Sequence, residues 1–137
     1  MANLVFKDAH VTINSVDLSD HVRQVTLNYK AELQDDSAMG DDARSRIPGL
    51  LDWDLDIEFF QDYASGKVDA TLFSLVGAAP FAIAVRPVNT TIASTNPEYQ
   101  GNAVLESYQP MGGAVGENLM APTKFMGVGV LTRDTTP

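Results

Sequence analysis

The sequence predicts a mainly β chain: a β-sandwich or open barrel with one flanking α-helix and a long inter-strand loop. Three observations carry that reading. Two long stretches alternate strictly between apolar and polar residues, shorter stretches repeat the alternation between Gly- and Pro-rich connections, and a single stretch has helical periodicity. At 137 residues and 45% hydrophobic, the chain fits one domain spanning residues 1–137, with enough core to fold without staples.

Residues 2–9 read as either a flexible arm or an edge strand. Val11 and Ile13, then Asn14-Ser15, then Val16 and Leu18 predict a hairpin. From Gln24 to Leu33 one face carries Val25, Leu27, Tyr29, Ala31 and Leu33, and the other Gln24, Thr26, Asn28, Lys30 and Glu32, the signature of a strand with one dry and one wet face. Residues 34–49 (QDDSAMGDDARSRIPG) are polar and aperiodic, and end on the turn signal Pro48-Gly49. A loop of this length inside a compact domain is uncommon and usually functional. Alternation resumes with Leu51, Trp53, Leu55, Ile57 and Phe59 against Asp52, Asp54, Asp56 and Glu58. Aspartate is a poor strand former, so an acid at every second position marks a wet face with Trp53 on the buried side as a core anchor.

Val68, Leu72, Leu75 and Val76 form one helical stripe, with Ser65 as candidate N-cap and Gly77 and Pro80 as stop signals. Further strands are predicted over residues 81–85, 103–108 and 124–132. In the last of these, Gly127 and Gly129 leave room for a large side chain or another backbone. Residues 133–137 are a second candidate arm.

Composition excludes several functions. With no cysteine, disulfides, thiolate metal sites and cysteine nucleophiles are ruled out. The first residues have neither the basic nor the apolar region of a secretory signal, and no stretch is apolar for long enough to span a bilayer, so a soluble protein made in a reducing cytoplasm is expected. The net charge of −9 opposes broad phosphate binding, which depends on Lys and Arg.

No catalytic constellation emerges. His10 and His21 flank a short hairpin with no catalytic constellation of acids and hydroxyls around them, and read as surface residues. An EF-hand alignment from Asp35 places Met39 at the fifth position and Arg46 at the twelfth, where ligands are required, so no metal is expected. Asp52, Asp54, Asp56 and Glu58 lie about 7 Å apart in steps, compatible with glycosidase carboxylates, but four acids on a regular face describe a charged surface. Gly112-Gly113-Ala114-Val115-Gly116 and Gly66-Lys67 match no nucleotide-binding spacing, so no cofactor is expected. What remains is a chain with long strand edges that must be blocked or paired, and pairing between copies in a closed ring removes them.

Several strings carry a resemblance: Met39-Gly40-Asp41-Asp42-Ala43-Arg44-Ser45-Arg46, Pro48-Gly49-Leu50-Leu51-Asp52-Trp53-Asp54-Leu55, Glu58-Phe59-Phe60-Gln61-Asp62-Tyr63, residues 103–110 and residues 127–133. The chain resembles the tail tube (major tail) proteins of long-tailed, siphophage-type bacteriophages. The resemblance implies a non-enzymatic virion protein, assembled in the host cytoplasm, whose hexameric rings stack into a hollow conduit for the genome. It implies contacts with copies of itself and with tape measure, terminator and tail tip proteins, while DNA passes without specific binding. It makes Lys30, Glu32, Asp52, Asp54, Asp56 and Glu58 candidate lumen-facing residues, the acids repelling phosphate within the Debye length of about 10 Å at 0.1 M salt. It makes residues 34–49, with Asp35, Asp36, Asp41, Asp42, Arg44 and Arg46, the candidate ring-stacking loop. Two alternatives stand beside it: a tail terminator or head–tail connector ring, and a cytoplasmic carbohydrate-binding or hydrolytic β-sandwich.

Overall fold

A computed structural model describes residues 7–40 and 42–136. Its strands are β1 (His10–Ile13), β2 (Val16–Asp17), β3 (Val22–Asp35), β4 (Arg46–Phe60), β5 (Phe81–Arg86), β6 (Glu98–Tyr108) and β7 (Met120–Asp134), with one short helix, α1 (Val68–Leu72). All strand pairs are antiparallel, in the continuous order β2-β1-β5-β6-β7-β4-β3. The mainly β fold with one flanking helix is therefore present, built as one open sheet instead of two separate ones.

One face of that sheet forms the core. Val11, Ile13, Ile83, Val85, Leu105, Phe125, Trp53, Leu55, Ile57 and Phe59 are buried together, with Val68, Leu72 and Leu75 over them. The five-residue helix adds only Val68 and Leu72 to the core, so the strands themselves supply most of it. Phe81 and Phe125 meet edge-to-face at 6.0 Å, a favoured aromatic arrangement.

The β1–β2 turn forms as expected. Asn14 and Ser15 have φ of 50° and 69°, the paired positive values of a two-residue hairpin turn whose twist matches its strands. Gly77 has φ of 77°, which suits the predicted stop.

Three local expectations differ. Helix α1 starts at Val68, behind Lys67, so Ser65 is not its N-cap; the Asp62 carboxylate instead accepts the Ala64 N–H, and the Asp62 carbonyl accepts that of Asp69. The helical stripe stops at Leu75, in a 3-10 turn, and Val76 is half exposed where it bridges to Leu105. The connection expected over residues 34–49 is shorter, because β3 runs through Asp35 and β4 begins at Arg46. Pro48 and Gly49 lie inside β4, beside a register shift between Ala31 and Leu33. A Cβ at Gly49 would sit 3.1 Å from the Glu32 carbonyl, so the irregularity calls for glycine there.

Of the two candidate arms, residues 2–6 and Pro137 lie outside the described residues. The Asp8 carbonyl accepts the Asn89 N–H and Ala9 is buried, while Arg133 and Asp134 pair with Tyr99 and Glu98.

Candidate functional site

Trp53 organises the middle of the sheet. Its ring is buried and lies over two glycines on neighbouring strands: a Cβ at Gly127 would come within 2.4 Å of the indole, and one at Gly101 within 2.6 Å. The expected close approach at Gly127 is thus made by Trp53. Gly129 serves differently, with φ of 84° and nothing near its Cβ position. Around it β7 bulges, since the pairs Asn102–Val128 and Gln100–Thr132 set four residues of β7 against two of β6. Pairing between β4 and β7 ends at Asp54–Met126. Beyond that point the β3–β4 hairpin leaves the sheet as a two-stranded ribbon.

The split leaves three unsatisfied features at this end. Among the described residues the outer edge of β3 is unpaired along its length, and the edge of β4 is free from Arg46 to Trp53. A cleft of about 460 Å³ opens between Leu50–Leu51 of β4 and Gly129–Leu131 of β7. Tyr29, Leu33, Ile47, Leu50, Leu51 and Val130 are all more than half exposed. The dry face of β3 is therefore only partly covered within this chain, and its apolar alternation outruns the core.

The hairpin tip is internally braced. Arg44 donates to Asp35 at 2.6 Å, Asp35 also accepts the Ser37 N–H at 2.9 Å, and the Asp36 N–H donates to the Ser45 carbonyl at 3.0 Å. Hydrogen bonds from the Ser37 backbone and hydroxyl, then from Arg44, hold the Asp35 carboxyl below the usual aspartate range. Arg44 is therefore engaged inside its own loop, while Arg46 has no ion-pair partner among the described residues. Asp36 and Asp42 are exposed, and Asp41 lies outside the described residues.

Asp52, Asp54, Asp56 and Glu58 share the sheet face opposite Trp53, Leu55, Ile57 and Phe59, as the alternation requires. Each has a polar neighbour. Arg23 donates to Glu58 at 3.0 Å, Lys124 of β7 lies 3.9 Å from Asp56, and Asn28 donates to Asp54 at 2.8 Å. Lys30 stands opposite Asp52 in the register without reaching ion-pair distance, and Glu32 accepts from Gln34. Sequence reasoning placed Lys30 with these acids among the lumen-facing candidates. It missed Arg23, which a register irregularity beside Gln24 delivers, and Lys124, which needs the β4–β7 pairing to be known.

The opposite end of the same strands is also apolar. Phe60, Tyr63, Met111 and Val115 are exposed around the β6–β7 connection. Tyr63 and Gln61 both donate to the Pro110 carbonyl, and Gln61 also donates to the Tyr108 hydroxyl, which donates to Asp69 at 2.8 Å. Burial, with Asp69 adding to it, pushes the Tyr108 phenol up to about 12.

The histidines are partly buried rather than surface groups. His21 bonds Asp62 at 2.9 Å. His10 meets Asn89 at 3.0 Å and Thr12 at 2.9 Å through its two ring nitrogens, with Ser19 at 3.4 Å. Asp17 accepts from Ser19 and not from His10, so the acid does not orient the imidazole as a nucleophilic triad demands. This is a hydrogen-bond cluster that pins the β1–β2 hairpin.

No family model and no curated protein matches the chain. Solved structures do. It superposes on a chain from the tail of an empty gene transfer agent particle of C6 symmetry, at TM-score 0.75 and 13% identity, covering 98% of this chain and 100% of that one. It superposes on the SPP1 tail tube at TM-score 0.74 and 9% identity, over 98% and 80% of the two chains. A third match is a chain from the sheath/tube terminator structure of the extracellular contractile injection system PVC, at TM-score 0.71 and 12% identity, with 96% of each chain covered. At these identities the likeness is one of fold.

Proposed function

We propose that the chain is a structural subunit of a phage-type tail tube, forming sixfold rings that stack into a hollow conduit for DNA. The observation that carries this reading is a tube-type fold over nearly the whole chain combined with strand edges left open on it. An edge of fourteen residues that is free among the described residues, on a strand bearing Tyr29 and Leu33, invites association in a monomer. Closing copies into a ring pairs such edges and stops further lateral growth. The role is non-enzymatic, and its place is the virion tail, where copies of the chain meet one another and the tape measure, terminator and tail tip proteins.

In this ring the acidic face points inward. Glu32, Asp52, Asp56 and Glu58, repeated around the axis, outnumber Lys30, Arg23 and Lys124 and present net negative charge to passing phosphates, while Asp54, buried and held by Asn28, lies behind them. The cross-strand bases hold the side chains in place without reversing the sign. The hairpin tip, residues 35–46, reaches the next ring with Asp36, Asp42 and Arg46, while Asp35 and Arg44 brace it. The likeness to a terminator structure favours a second reading, a ring that forms once and does not repeat.

Negative-stain microscopy of the purified protein over a concentration series tests this directly. Hollow filaments with a regular axial repeat are expected. Isolated rings at every concentration would replace the tube with the terminator reading, and monodisperse monomers throughout would oppose both.

A further inference from the structure

We infer that the apolar β6–β7 connection of one copy is the seat for the projecting β3–β4 hairpin of a second copy, so that the chain associates head to tail along its own strands. The inference rests on the stacking reading above and names the surface that receives the hairpin.

The two surfaces lie at opposite ends of the same ladder. β4 runs from Arg46 at the hairpin tip to Phe60, which pairs with Met120 at the start of β7. Hence Leu33, Leu50 and Leu51 mark one end of the molecule, and Phe60, Met111 and Val115 the other. Both ends expose large side chains that their own chain leaves uncovered: Leu50 is 79% exposed, Met111 69% and Val115 fully. One such patch is ordinary, but an apolar patch at each end of one strand axis suits an open-ended assembly of identical units.

The seat is held in shape. Met120 donates its N–H to Gly112 at 2.8 Å, Glu117 donates its N–H to Ala114 at 3.1 Å, and Tyr63 and Gln61 fix Pro110 from below. A fixed loop loses little freedom on binding. Charge agrees as well. The hairpin end carries Arg46, which has no ion-pair partner among the described residues, and the seat carries the exposed Glu117, whose carboxylate caps the Ala114 N–H and retains acceptor capacity. An isologous hairpin-to-hairpin contact would instead bring Arg46 of each copy towards its own kind.

The test uses two full-length variants that preserve net charge. Leu33→Lys/Leu51→Glu disables the hairpin end, and Met111→Lys/Val115→Glu disables the seat. All four positions are exposed, so circular dichroism and melting should match the parent, and Arg46→Glu with Glu117→Arg supplies an independent charge swap. Analytical ultracentrifugation and electron microscopy then read assembly. Each double variant alone should need at least a hundredfold higher concentration to polymerise. An equimolar mixture retains one intact end of each kind and should form a species of twice the mass of either alone. Arg46→Glu should weaken assembly, and adding Glu117→Arg should restore it. A seat variant that polymerises like the parent, or a mixture that yields no doubled species, overturns the inference. Parent filaments with an indifferent seat variant leave the tube reading standing. A doubled species without parent filaments leaves head-to-tail pairing and removes the tube.

Discussion

Adding one methyl group at Gly127 should destabilise the protein, and the sign of the effect is the informative part. Gly127 is not among the glycines with positive φ, so its backbone conformation does not by itself demand glycine. With free space above it, alanine there would reduce unfolded-state entropy and stabilise by about 0.4–1 kcal/mol. The structure leaves no such space. The new Cβ would stand 2.4 Å from Nε1 and Cε2 of Trp53 and 2.6 Å from Cδ1, and the other half of the ring lies over Gly101, where an added Cβ would likewise fall 2.6 Å from Cζ2. The indole must lift off both strands, and overpacking of this kind costs about 1–3 kcal/mol. Unfolding entropy is roughly 2.1 cal/mol/K per residue, which for this chain makes 3 kcal/mol worth about 10 °C of melting temperature. Calorimetry on Gly127→Ala, followed by the fluorescence of the only tryptophan, measures both the loss and the ring movement. Trp53→Leu in the same background should recover at least about 1 kcal/mol, since neighbouring substitutions couple. A stabilised Gly127→Ala, or a double variant additive with its single parents, would refute the packing argument.

Asn96→Ala should cost about 2–3 kcal/mol by urea denaturation, because this buried amide accepts the Val88 N–H and donates to the carbonyls of Val88 and Thr91. Tyr108 should ionise well above the ordinary phenol range in an ultraviolet titration. Its folded pKa lies above the unfolded value near 10, so its stabilising contribution is complete below that pH and is lost as pH rises towards about 12. Asp62 behaves oppositely: the Ala64 N–H first, then His21, depress its pKa below 3.8, so its contribution holds above that value and fades in stronger acid, with faster amide exchange at Ala64 as the readout. In assembled tubes, Asp52→Asn/Asp56→Asn/Glu58→Gln should leave the filaments intact but let duplex DNA stick inside them at low salt; identical DNA retention by parent and variant would count against a repelling lumen.

Sequence patterning went furthest where one face of a strand is fully buried. The period of two at Trp53, Leu55, Ile57 and Phe59 placed the acids on the other face, and the Asn14-Ser15 turn was legible for its residue types. It fell short where burial depends on partners distant in sequence. Leu33 and Leu51 carry the same alternation as Leu55, yet the Gly129 bulge draws β7 away and leaves them exposed. Gly49 looked like a turn because nothing local announces that its neighbour across the ladder is the Glu32 carbonyl. Ser65 satisfied the capping pattern, but the helix starts behind Lys67 with no side-chain cap, and the turn before it is held by Asp62, whose side chain is fixed by His21 from forty-one residues away. Among candidate site residues, the alternation sets the side on which Asp52, Asp54, Asp56 and Glu58 lie. The bases beside them required the strand order, and the apolar seat around Met111 and Val115 has no periodic signal at all.

Helical reconstruction of the polymer by electron cryomicroscopy tests the central claim most directly. The account predicts a hollow tube with Asp52, Asp54, Asp56 and Glu58 facing the axis. A tube with those four side chains on its outer wall would contradict it.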